Sequence, residues 1–214
     1  MTSDAFDWAI AEAPLWRRPL LSVVIDTEEE FDWRQPLARE NTGVTHVRQL
    51  PGHNRIYERF GLKPTYVVDY PVATKPDAFA PVRELLESGL CEVGAHLHPW
   101  VNPPFDEAPS VRNSFPGNLP AALEREKLRR LGEAIRENIG VSPTVYRAGR
   151  FGFGPATAQA LVELGYRVDT SIVPRTYFGP MQGPDFTECS PHLCWFGKTS
   201  LLEVPVTADW IGLL

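Results

Sequence analysis

Short apolar runs rich in β-branched residues alternate along the chain with longer segments of helical periodicity. Pro19-Leu20-Leu21-Ser22-Val23-Val24-Ile25 is the first run. An apolar stretch of this length after a proline predicts a strand buried on both faces. Further strands are predicted over 64–69, 91–96, 143–147, 166–172 and 200–206. The clearest helix covers 119–139, where Leu123, Leu128, Leu131 and Ile135 recur on one side and Gly140 follows. Helices are also predicted over 52–60 before Gly61, over 77–90 with Asp77 as its cap, and over 154–164 before Gly165. Strands alternating with helices imply βαβ units and a parallel sheet. An open doubly wound sheet and a barrel both satisfy the pattern. In either one, ligands sit at the carboxyl ends of the strands.

Composition narrows this picture. The 214 residues and unbroken pattern read as one domain over 1–214, large enough to bury a core without a structural metal. Twenty-seven acidic residues against 21 basic ones give a net charge of −6, which argues against nucleic acid as a partner. No apolar run reaches the ~18 residues of a membrane span. The first sixteen residues carry Asp4, Asp7 and Glu12 and lack the basic start of a secretory signal, so a cytoplasmic or signal-trimmed chain is expected. Three cysteines exclude a disulfide framework and leave one bond, Cys189 to Cys194, open. Twenty-one prolines and 16 glycines gather in long loops, at 99–118 and 174–198. Long ordered loops are usually functional.

The strand ends carry the chemistry. Asp26 and Glu28 close the first strand, two residues apart and so on one face, with Glu29, Glu30 and Asp32 behind them. Five carboxylates in seven residues repel one another and call for a cation; the plain alternative is a solvated acidic loop. His96 and His98 close the third strand at the same spacing. Two histidines and a carboxylate with open positions make a catalytic zinc or iron site. Spacing alone leaves that reading and a pair of ordinary polar strand residues both standing. Arg147 and Arg150 close the fourth strand, where either is suited to hold a carboxylate base.

Together, Ile25-Asp26-Thr27-Glu28, Glu92-Val93-Gly94-Ala95-His96-Leu97-His98-Pro99 and Tyr146-Arg147-Ala148-Gly149-Arg150 resemble the motifs of the polysaccharide deacetylase superfamily, the NodB-homology or carbohydrate esterase family 4 group, with the WalW-like branch closest. The resemblance runs from about Ser22 to Val206. It implies a distorted (β/α) barrel of about six to seven parallel strands. It also implies a hydrolase that removes acetyl groups from N-acetylated sugars with one divalent ion, zinc being the expected one. Asp26 matches the general base, Glu28 and His96 match metal ligands, and Arg147 matches the arginine that orients the base, with Arg150 the alternative. The family's second histidine lies four residues after the first; here His98, two residues after, takes its place. Trp100 and Tyr177 are candidate walls of a sugar groove, as are Phe105, Phe178 and Trp195.

The resemblance leaves two other readings open: an allantoinase-like amidohydrolase acting on a small non-sugar amide, and a catalytically silent carbohydrate-binding relative. The family's last strand ends near a histidine that serves as general acid. After Thr207 this sequence offers 208–214, without a histidine. The expectation is therefore a chain truncated at its C-terminus or one that closes its barrel by other means, with His192 the candidate substitute acid.

Overall fold

The computed structural model describes residues 8–11 and 20–208. The tail at 209–214 lies outside the described residues. Six parallel strands form the body of the sheet: β2 (Val24–Thr27), β3 (Thr65–Val68), β4 (Glu92–Leu97), β5 (Val145–Ala148), β6 (Val168–Asp169) and β8 (Leu202–Glu203). Two antiparallel strands, β1 (Trp8–Ile10) and β7 (Cys194–Phe196), complete it in the order β1-β7-β8-β6-β5-β4-β3-β2. Helices α1 (Leu50–Arg59), α2 (Tyr70–Thr74), α3 (Pro76–Glu87), α4 (Ala121–Asn138) and α5 (Pro155–Glu163) fill the crossovers.

The six parallel strands are those the pattern predicts, with the last two cut to two residues each. The mostly parallel, barrel-like sheet is the one expected, and it is open: among the described residues β1 and β2 are its edges. Other expectations need correcting. The first strand is not buried on both faces. Among the described residues only β3 pairs with it, its residues 24 and 25 are half-buried, and Leu20 and Leu21 before it are 66% and 70% exposed. Lys75, not Asp77, caps α3, because Pro76 with its preset φ takes the first helical position. The loop at 174–198 contains β7, which the pattern missed because three residues are too few to show a period. Helix α2 was missed as well; the Asp69 side chain caps it by accepting from Val72 N at 2.9 Å. The three cysteines are free.

The core lies between the sheet and its helices. Val68, Ala95, Leu97 and Ala148 from the strands meet Leu128, Leu131 and Ile135 of α4 and Val82 and Leu85 of α3. The inward face of α4 also buries two charged residues, Glu124 and Lys127. The Lys127 ammonium donates to the carbonyls of Pro99 (2.9 Å), Asn102 (2.5 Å) and Pro104 (2.6 Å) and pairs with Glu107 at 3.0 Å. It thereby fixes to α4 the loop that follows His98.

The Glu124 carboxyl accepts from Thr157 Oγ1 at 2.5 Å, and its other oxygen has no partner. Burial pushes this carboxyl up to about 7 from 4.5. The folded chain therefore holds a proton that the unfolded chain releases, and stability from this group is present below pH 4.5 and lost as pH rises through 7. The gap of about 2.5 units corresponds to roughly 3 kcal/mol. Glu124→Gln should match the wild type near pH 4.5 and exceed it above pH 7 by up to that amount. Chemical denaturation at the two pH values measures this, and a constant difference would disprove it.

Candidate metal centre and active site

The carboxyl ends of β2, β4 and β5 bring the expected residues together. His96 lies in β4 opposite Arg147 of β5. Its Nδ1 lies 2.9 Å from the Arg147 carbonyl oxygen, which can only accept, so Nδ1 carries the hydrogen and Nε2 presents a lone pair. His98 Nδ1 lies 2.7 Å from Glu29 Oε2, which turns its Nε2 the same way. The two Nε2 atoms are 3.1 Å apart, and Glu28 Oε2 lies 3.0 Å from one and 3.3 Å from the other. Both rings are 2% exposed.

Three acceptors thus face one point. With metal–ligand bonds of about 2.0–2.2 Å, neighbouring ligands stand roughly 2.8–3.1 Å apart at right angles and roughly 3.3–3.6 Å apart in a tetrahedron. The observed 3.0, 3.1 and 3.3 Å fall within the range that such bonds span. The donor set fits a divalent ion, and Glu28, His96 and His98 would hold it. The shifts in proton affinity follow from the same crowding. Burial pushes His98 down to about 4, with His96 adding to the effect. In His96 the neighbouring carboxylates, Glu28 first, outweigh burial and raise it. In Glu28 the two histidines outweigh burial and lower it.

A second carboxyl pair supports His98. Glu29 and Asp69 are both buried, and Asp69 Oδ2 accepts from Glu29 N at 2.8 Å. Burial pushes Asp69 well up, and the Glu29 carboxylate adds to it; burial raises Glu29 too. Two carboxyls so placed resist ionising together. Such outer partners orient a ligating imidazole and raise its basicity. Behind the same ring, a side chain at position 149 would collide with the Leu97 carbonyl and the His98 ring, so only glycine fits. Trp100 stacks on the other side, with ring centroids 4.2 Å apart.

No protein-family model matches the sequence, and no curated protein matches it. Solved structures do. A Mycobacterium smegmatis protein described as a polysaccharide deacetylase superposes with a TM-score of 0.53 at 23% identity, over 77% of this chain and 46% of that one. The chain has the polysaccharide deacetylase fold. It spans less than half the length of the M. smegmatis structure. The deacetylase domain of BpsB from Bordetella bronchiseptica aligns over 84% of this chain and 70% of its own, at 18% identity and a TM-score of 0.45. A family 4 carbohydrate esterase from Streptomyces lividans aligns over 70% and 61%, at 15% identity and a TM-score of 0.44.

Within this deacetylase fold the two arginines part. Arg147 Nη1 donates to Asp26 Oδ1 at 2.8 Å, while its Nε donates to the Thr170 carbonyl at 3.0 Å. Asp26 Oδ2 has no hydrogen bond to protein among the described residues, and the side chain is one-third exposed. Arg150 turns elsewhere, donating to Ser114 Oγ at 2.6 Å. Trp100 is 2% exposed and packs behind His98, so it backs a ligand and offers no surface to a sugar. Tyr177 is 60% exposed and has no contact with the site among the described residues. Trp195 lines a cavity with Arg167 and Lys198 at the amino-terminal end of the sheet. His192 is exposed, and its ring has no hydrogen bond among the described residues.

Glu29, Asp69, Trp33 and His46 were missed. Asp69 stands at the end of β3, so the strand-end rule applied to every strand would have found it. Glu29 stood out in the sequence only as one of five crowded carboxylates; because the strand ends at Thr27, both Glu28 and Glu29 reach the histidines. His46 lies 3.3 Å from Glu30 Oε1, which also accepts from Thr45 Oγ1 at 2.6 Å and His46 N at 3.0 Å. Only folding shows this pairing.

With added zinc as the probe ion, Glu29→Gln should weaken binding by about 10- to 100-fold and leave the fold intact. His96→Ala should weaken it more. Competition with a chromogenic chelator reads both, and unchanged affinity in Glu29→Gln would refute the supporting role.

Proposed function

We propose that this chain is a metal-dependent deacetylase that removes acetyl groups from N-acetylated sugars. One observation carries the reading: three ligand atoms converge beside an aspartate held by an arginine, at the strand ends of a deacetylase fold. When bound, a divalent ion there supplies Lewis acidity toward an acetyl carbonyl and lowers the pKa of water. Zinc is the ion we expect, since it accepts two imidazoles and a carboxylate. Asp26 is the general base. Arg147 fixes one of its oxygens and leaves Oδ2 free to take a proton from water. Arg147 is a positioning residue, itself held by Thr170.

The leaving nitrogen needs a proton. We assign its delivery to His46, which Glu30 holds on the segment of ligand Glu28. A carboxylate-held imidazole is the usual form of such an acid. The partner is a carbohydrate. Among the described residues no helix is long and apolar enough to cross a membrane.

Metal analysis of the purified chain and an acetate-release screen test the reading; an active chain without a stoichiometric ion would refute it. Asp26→Asn should keep the ion and lose turnover by about 10²–10⁴. Loss of the ion in Asp26→Asn, with retention in Glu28→Gln, would show the two acids exchanged. His46→Gln should lower kcat by about 10²-fold and leave KM and the bound ion unchanged. Unchanged kcat would remove His46 from the mechanism.

A further inference from the structure

We propose that Arg150 and Trp33 form a subsite for an anionic sugar next to the acetylated one, so that the preferred substrate is an acidic glycan. This rests on the deacetylase reading and narrows its substrate class. Arg150 follows Arg147 by three residues but serves another purpose. Its guanidinium lies 4.4 Å from the Phe115 ring centroid and 5.4 Å from that of Trp33. One nitrogen donates to Ser114 Oγ and another reaches Met181 Sδ at 3.4 Å. No carboxylate pairs with it among the described residues, although the chain carries six more acids than bases. Burial alone acts on its proton affinity, lowering it, with no anion to offset that. A half-buried cation between two rings and without a counter-ion is suited to receive one from a ligand.

The backbone is strained to put it there. Arg150 and the next residue, Phe151, have φ of 54° and 58°, a left-handed conformation that residues with a Cβ adopt at a cost of about 1–2 kcal/mol each. Strain of this kind collects where a fold positions a group for a task. Trp33 links the cation to the reaction centre. It is 55% exposed, and Phe31 and Trp100 meet it edge to face at 5.0 and 6.4 Å. Trp100 stacks on His98. The metal ligand, Trp100, Trp33 and the Arg150 guanidinium therefore form one continuous row. An exposed indole can take the face of a sugar ring, and the guanidinium beside it a carboxylate, sulfate or phosphate on that sugar.

Calorimetric titration of the full chain with three tetrasaccharides tests this: neutral N-acetylchitotetraose, hyaluronan carrying carboxylates, and chondroitin sulfate carrying sulfates. At low salt at least one acidic ligand should bind about 10- to 100-fold tighter than the neutral one, and high salt should remove the difference. Chondroitin sulfate carries carboxylates besides its sulfates, so equal binding of the two acidic ligands points to the carboxylate and tighter binding of chondroitin sulfate to the added sulfate. Arg150→Met should abolish the preference, and Arg150→Lys should keep part of it. Equal binding of all three, binding of none, or equal weakening of all three by Arg150→Met would overturn the subsite; the last would make Arg150 a prop for Trp33. Acetate release from the same mixtures reports separately on the enzyme reading. Selective binding without release removes that reading and leaves the subsite. Release without preference for acid removes the subsite and leaves the reading.

Discussion

Two imidazole lone pairs and a carboxylate oxygen face one another at 3.0–3.3 Å in a buried pocket, and the arrangement around them follows from that conflict. Unpaired acceptors in a low dielectric repel, and a cation or a proton among them relieves the repulsion. The surroundings hold the lone pairs where they are. A carbonyl fixes His96, a carboxylate fixes His98, and a glycine leaves room for the second ring. Each contact removes one way in which the rings could turn aside and end the repulsion.

The fold distributes these duties over separate elements. Strand β2 and the residues after it bring the acids, β4 brings the histidines, and β5 brings the arginine that pairs with Asp26. Lys127 reaches from α4 into the loop beyond His98 and ties down its carbonyls. Buried amines are rare unless paired. Here the ammonium exchanges its water shell for three carbonyls and Glu107, and the loop gains a fixed path through irregular backbone.

The sheet body and the clustering of Glu28, His96 and His98 were legible in the sequence because both rest on local rules. Apolar runs mark buried strands, and a two-residue spacing puts side chains on one face. The same spacing carried His98, despite its departure from the pattern the sequence resembles. The rules failed where contacts come from far along the chain. Glu29 escaped because the strand stops one residue before Glu28. Trp100 looked like a sugar wall because an aromatic in a loop reads the same whether exposed or stacked behind a ring. Arg147 and Arg150 were indistinguishable by spacing, and only a left-handed turn between β5 and α5 separates their directions.

Among the described residues strand β2 has a backbone neighbour on one side only, yet it leads into the carboxylates of the pocket. Asp26 is joined to Arg147 on β5, and Glu28 stands against His96 on β4, so both links pass over the intervening strand β3. Besides its ladder to β3, this edge is tied toward the sheet centre by those two side-chain links. Its resistance to fraying therefore depends in part on groups that also shape the pocket. Replacing Asp26 or Glu28 would loosen the strand as well as change the pocket, and the edge would have to dock again for the pocket to re-form.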